Sequence, residues 1–236
     1  MNYKSVIDWH AAIAVLALVA FWTAALTKKG SPIHRLAGKF YFAIVVVILV
    51  SVIPMIVIAL QSKNYKQLIL LGYLSLLVIT ASYVALQAIR KKKSVTDYHN
   101  WVFKFLGSAL SLYSLSILTI GLMSASFITI VFSSVGITLG ASMWGSLLTK
   151  VPNPGWHLRQ HMNGLAVNFA AAHGSFLRFT LKTFFGFADT PELNTVCQTS
   201  MIVLALLLRI WIGKIYFKNR KINSPAKIHA ETLVRT

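Results

Sequence analysis

The sequence predicts an all-α fold, a polytopic bundle of about seven transmembrane helices, and three observations carry that prediction. Of 236 residues, 56% are hydrophobic and only 12% are charged, with mean hydropathy +0.68, whereas ordinary soluble domains are about 25% charged. The apolar residues gather into seven runs, each near the roughly 20 residues that a helix needs to cross a bilayer. Most of the Lys and Arg residues stand outside those runs. One helical domain over residues 1–217 follows, with a short basic cytoplasmic tail over 218–236.

The first run, 5–27, ends in Thr27-Lys28-Lys29 rather than at a small-residue cleavage site, so it is expected to stay as a span. The second, 38–61, follows a turn that Gly30 and Pro32 permit, and the third, 67–89, stops at the basic stretch Arg90 to Lys93. The fourth and fifth, 101–122 and 125–148, share an apolar stretch from Trp101 to Leu148 that is too long for one span. Small residues between Gly121 and Ser126 allow a tight turn there. Gly136 and Gly140, four apart in the fifth run, signal close helix packing. The sixth run, 158–182, is the most polar, and the seventh is 195–217.

Net charge is +18, from 23 Lys and Arg against 5 acids. In a soluble protein that balance would point to nucleic acid, but no stacking or phosphate motif accompanies it. The expected partner is membrane lipid, with anionic headgroups at the basic loops, and not nucleic acid. The first connection carries Lys28, Lys29, Arg35 and Lys39, the third Arg90 to Lys93, the fifth Lys150 and Arg159, and the tail Lys218, Arg220, Lys221 and Lys227. The alternate connections are poorer in bases, which places the N-terminus outside and the C-terminus in the cytoplasm. A single cysteine, Cys197, excludes an internal disulfide and a thiolate-rich metal site.

Ionisable side chains inside a bilayer are costly, which makes the histidines informative. His34 and His99 lie in basic connections, and His157, His161 and His173 lie along the sixth run. His157 and His173 are 16 residues apart, about 24 Å at 1.5 Å per residue. That spacing predicts an inner cluster of His34, His99, His157 and His161 and an outer pair of His10 and His173. Imidazoles at two depths suit two haems held between helices, and they equally suit hydrogen bonds to headgroups, water or carbonyls. His157 and His161 have the i, i+4 spacing of a metal site, but the acids Asp8, Asp97, Asp189, Glu192 and Glu231 offer no general base beside them.

At 100° per residue, His157, His161, Gly164, Asn168 and Ser175 form one stripe, and His173 points elsewhere. Polar groups on more than one side predict a helix enclosed by its neighbours. Arg209, in the last run, is expected to snorkel or to meet an anionic group. The six tryptophans, mostly near span ends, read as an interfacial belt.

Two segments, KKGSPIHRLAGKFY (28–41) and IRKKKSVTDYHNWVFKF (89–105), resemble the bacterial membrane-protein family catalogued as domain of unknown function 2306. His10, Lys29, Gly30, His34, Arg35, Gly38 and Lys39 match its first motif, and Arg90 to Lys93, His99 and Trp101 its second. Val102 and Lys104 stand where the family usually has Met and Arg. The resemblance covers roughly the first half of the chain and implies a bacterial inner membrane, but no activity.

Three readings stay open. A redox protein would bind haem b through His10, His34, His99, His157, His161 and His173, with Arg35 as a partner for a carboxylate. A transporter or channel would line a solute or proton path with the sixth helix, and a scaffold or assembly factor would use the polar contacts structurally. The predicted orientation is testable by cysteine labelling in intact cells. A membrane-impermeant thiol reagent should reach Lys63→Cys and spare Lys92→Cys, and the reverse pattern would invert the topology.

Overall fold

The computed structural model describes residues 3–149 and 154–222. Every regular element among them is an α-helix: α1 (Tyr3–Leu26), α2 (Pro32–Gln61), α3 (Tyr65–Arg90), α4 (Val95–Tyr98), α5 (Trp101–Met123), α6 (Phe127–Leu148), α7 (Trp156–Phe185) and α8 (Pro191–Ile222). All seven apolar runs have become helices. Six of these, α1, α2, α3, α5, α6 and α8, are long and apolar enough to cross a membrane. The exception, α7, has the length but is more polar. Lys150, His229 and the tail from residue 223 onward lie outside the described residues.

The helix ends follow from local chemistry. The Ser31 hydroxyl accepts the backbone N–H of His34, with Pro32 opening α2, and the Asn64 and Asn100 side chains accept from Gln67 and Phe103 to start α3 and α5. The expected division of the long stretch occurs at Ser124–Ser126, where Ala125 takes φ 49. Gly186 ends α7 in the left-handed region at φ 69, and the N–H of Phe187 returns to the Leu181 carbonyl. The connection beyond it is clamped by Asp189, which accepts from Arg178 at 2.6 Å and from Lys182 at 2.8 Å. Lys182 and then Arg178 hold its carboxyl below the usual range. The short α4 lies inside the third basic connection and buries Tyr98 completely.

Hairpins α1–α2, α5–α6 and α7–α8 surround a central contact between α3 and α7. α3 also packs on α2 and α5, and α7 on α1 and α6. A large apolar cluster spans α3, α5, α6, α7 and α8 around Tyr73, Phe103, Leu110 and Met143, while Ala17, Tyr41 and Val45 form a smaller one between α1 and α2. Between membrane helices, lipid removes most of the hydrophobic drive, so small residues that let backbones approach carry the packing. Gly136 and Gly140 face Tyr73, Ser114 and Ser111, as their spacing predicts.

Gly164 is the tightest case. A Cβ there would run into the Ala81 carbonyl oxygen and lie 2.9 Å from the Ala85 backbone nitrogen, so α3 and α7 meet at this point through backbone. Gly164→Ala should therefore destabilise the protein by about 1–3 kcal/mol in detergent unfolding. Gly38→Ala, where a Cβ meets nothing within 4 Å, should be neutral or slightly stabilising.

Candidate functional site

The predicted enclosure of α7 is met. Between Trp156 and Gly174 only Arg159 is exposed. The stripe of His161, Gly164 and Asn168 faces α3: His161 Nδ1 lies 2.8 Å from the Ala85 carbonyl, and Asn168 donates to Ser82 Oγ at 3.0 Å. Ser175, further along, accepts from Gln198 of α8 instead.

Hydrogen-bond partners fix the tautomer of four histidines, because a carbonyl oxygen only accepts. His34 Nδ1 is 2.8 Å from the Ala24 carbonyl, His161 Nδ1 is on Ala85, and His173 Nδ1 is 2.9 Å from the Phe169 carbonyl, so each of these nitrogens carries the proton. His10 Nδ1 approaches Ser51 Oγ at 2.7 Å, and since that hydroxyl already donates to Ile48, His10 must donate as well. In the neutral form of each of the four rings the lone pair is therefore on Nε2.

The uses of that lone pair differ. His173 Nε2 accepts the Trp22 indole N–H at 2.9 Å, while its ring stacks on Phe169 with centroids 3.9 Å apart and meets Phe21 edge-on. Both of its nitrogens are occupied. His34 and His161 lie close enough to act on one another electrostatically, with Lys29 and His157 also in range of His161. Lys29 Nζ turns back on the Ala24 and Ala25 carbonyls at the end of α1, and burial holds its ammonium below the usual lysine range. Arg35, beside His34, is exposed.

Two expected groupings do not form as predicted. His173 meets Trp22, which is 12 residues from His10 on α1, or about 18 Å along the helix. The reason is that α7 runs 30 residues, about 45 Å, which puts His173 near its midpoint instead of near a membrane face. His99 is held elsewhere, with Nε2 2.8 Å from Ser146 Oγ on α6 and its ring against Tyr98 and Phe103. Burial, and then the Lys104 charge, push its pKa down. Arg209 does not simply snorkel: its Nε donates to Asn163 Oδ1 at 2.8 Å, and Asn163 in turn donates to Ser142.

Trp22 was legible only as one more interfacial aromatic, and Ser51 and Ser82 only as residues of apolar runs. A polar atom within such a run is the one signal that marks them. Among the described residues no three His, Cys, Asp or Glu side chains converge as a metal site. No family model, curated protein or solved structure matches the chain.

Trp22→Phe keeps an aromatic ring beside Phe169 but removes the donor to His173. The expected loss is about 1–3 kcal/mol in thermal or denaturant unfolding. His173→Phe in the Trp22→Phe background should then cost less than it does alone, the coupling expected of a paired donor and acceptor.

Proposed function

We propose that this multi-pass membrane protein is a redox protein that binds a haem-type group between His34 and His161, near the end of the bundle formed by the α1–α2 turn and the start of α7. One observation carries the reading: each ring donates Nδ1–H to a backbone carbonyl and turns Nε2 to the other side, where a ligand would bind. That arrangement is the one metal-ligating imidazoles commonly adopt, because the carbonyl fixes the ring plane and raises the basicity of the ligating nitrogen. Bound haem would supply one-electron transfer. The chain's own part is to present two neutral imidazoles from different helices, to hold their planes, and to offer Lys29 and Arg35 as cations for carboxylates at the rim.

The proposal includes α7 as a seventh span, with the N-terminus outside and the basic connections in the cytoplasm of a bacterial inner membrane. The likeness of residues 28–41 and 89–105 to domain of unknown function 2306 supports that location. His10 and His173 are left out of the ligand set, since His173 is engaged by Trp22 and stands far from His10 along α1.

Protein purified from haem-replete cells should show a Soret band that falls to a small fraction in His34→Ala and in His161→Ala. His173→Ala should keep most of it. A colourless wild type, or a band untouched in His161→Ala, would sink the proposal.

A further inference from the structure

A second face of α7, flanking its histidine stripe, carries an arrangement that the haem reading does not use. Between the end of α6 and the start of α7 lies a half-open cleft of about 140 Å³. On α6 its wall is Gly145, Ser146 and Thr149, one stripe of the helix, and on α7 it is Trp156, Arg159 and Gln160, again one stripe. A Cβ added at Gly145 would meet nothing within 4 Å, so the space is real and next to backbone. Val95 of α4 completes the lining.

The polar groups in this cleft are unusual in two respects. Gln160 is 7% exposed, yet its Oε1 has no hydrogen-bond partner among the described residues, and its Nε2 reaches only the Ser142 carbonyl at 3.5 Å. A buried acceptor without a donor costs about 1–3 kcal/mol, so a bound donor there would recover free energy. Beside it stands Arg159, the one exposed residue in the first nineteen of α7, and the described lining residues include no carboxylate. One turn further on, Asn163 links Ser142 of α6 to Arg209 of α8, adding a second guanidinium on the same flank.

A cation beside a starved acceptor calls for an anion that also carries a hydrogen. We infer that the α6–α7 cleft binds a phosphate bearing an O–H donor, its oxygens on Arg159 and its hydroxyl on Gln160 Oε1. Charge-assisted bonds from a guanidinium to phosphate are strong and directional, and the start of α7 adds a favourable helix dipole. Two sources share this chemistry, a glycerol-type phospholipid headgroup and hydrogen phosphate itself. At the end of a membrane helix bundle the headgroup is the favoured one.

The test is thermal unfolding of the full-length protein in a maltoside detergent, titrated with short-chain phosphatidylglycerol, short-chain phosphatidylcholine, or inorganic phosphate against chloride of equal ionic strength. Phosphatidylglycerol should raise the Tm saturably, and phosphatidylcholine, which lacks the O–H, should raise it less. A matching rise with phosphate alone would assign the site to the free ion and still support it. Arg159→Gln and Gly145→Leu should each weaken binding by about tenfold or more, the first by removing the cation and the second by filling the cleft. Gln160→Leu should abolish the preference over phosphatidylcholine. Equal responses to all additives, or an unchanged response in a folded Gly145→Leu variant, would overturn the inference, and neither outcome bears on the Soret test.

Discussion

The architecture depends on the backbone contact between α3 and α7 at Gly164. Because no side chain intervenes there, the helices approach closely enough for groups on either side of that glycine to bridge them. His161, three residues before it, reaches the Ala85 carbonyl, and Asn168, four residues after it, reaches Ser82. On α3 the facing positions Ala81, Ala85 and Ala88 are fully buried and small, which is what such an approach requires. The histidine geometry is thus a consequence of helix packing: with a larger residue at 164, the His161 ring would lose its carbonyl anchor before any ligand were considered.

The same contact explains how a helix as polar as α7 can occupy the middle of an apolar bundle. Its polar side chains are distributed among different neighbours. His161 and Asn168 bind α3, His173 meets α1, Asn163 joins α6 to α8, and Ser175 accepts from α8. In hydrocarbon an unsatisfied polar group costs several kcal/mol, so each of these bonds offsets a penalty that lipid exposure would impose. Three buried oxygens of α7 depart from that pattern, Gln160 Oε1, Asn168 Oδ1 and Thr180 Oγ1, and of these Gln160 lines the α6–α7 cleft.

Much of this was legible in the residues. Bilayer thickness sets helix length, so apolar runs marked all seven long helices. Small residues between Gly121 and Ser126 marked the turn at Ala125, and a 100° projection marked the stripe that faces α3. Depth was harder to read. Counting along α7 assumes that its ends coincide with the membrane faces, whereas the helix continues to Phe185 and is clamped through Arg178 and Lys182 by Asp189. That extension moves His173 toward the centre and beside Trp22. Pairings such as His10 with Ser51, or Arg209 with Asn163, depend on which helices are neighbours and on their offset, and no local pattern in one chain encodes either.

Hydrogen bonding, not ion pairing, holds His34, His161 and His173. The described acids are Asp8 near the start of α1, Asp97 in α4, Asp189 in the α7–α8 connection and Glu192 in the first turn of α8. All stand at or near helix ends, and the described ion pairs are both to Asp189. The carbonyls of Ala24, Ala85 and Phe169 then decide which nitrogen keeps the single proton. A neutral ring with its lone pair on Nε2 is the state that can ligate iron or accept a hydrogen bond. His173 is set apart by its neighbour: Trp22 donates to its Nε2 and leaves that ring no free nitrogen.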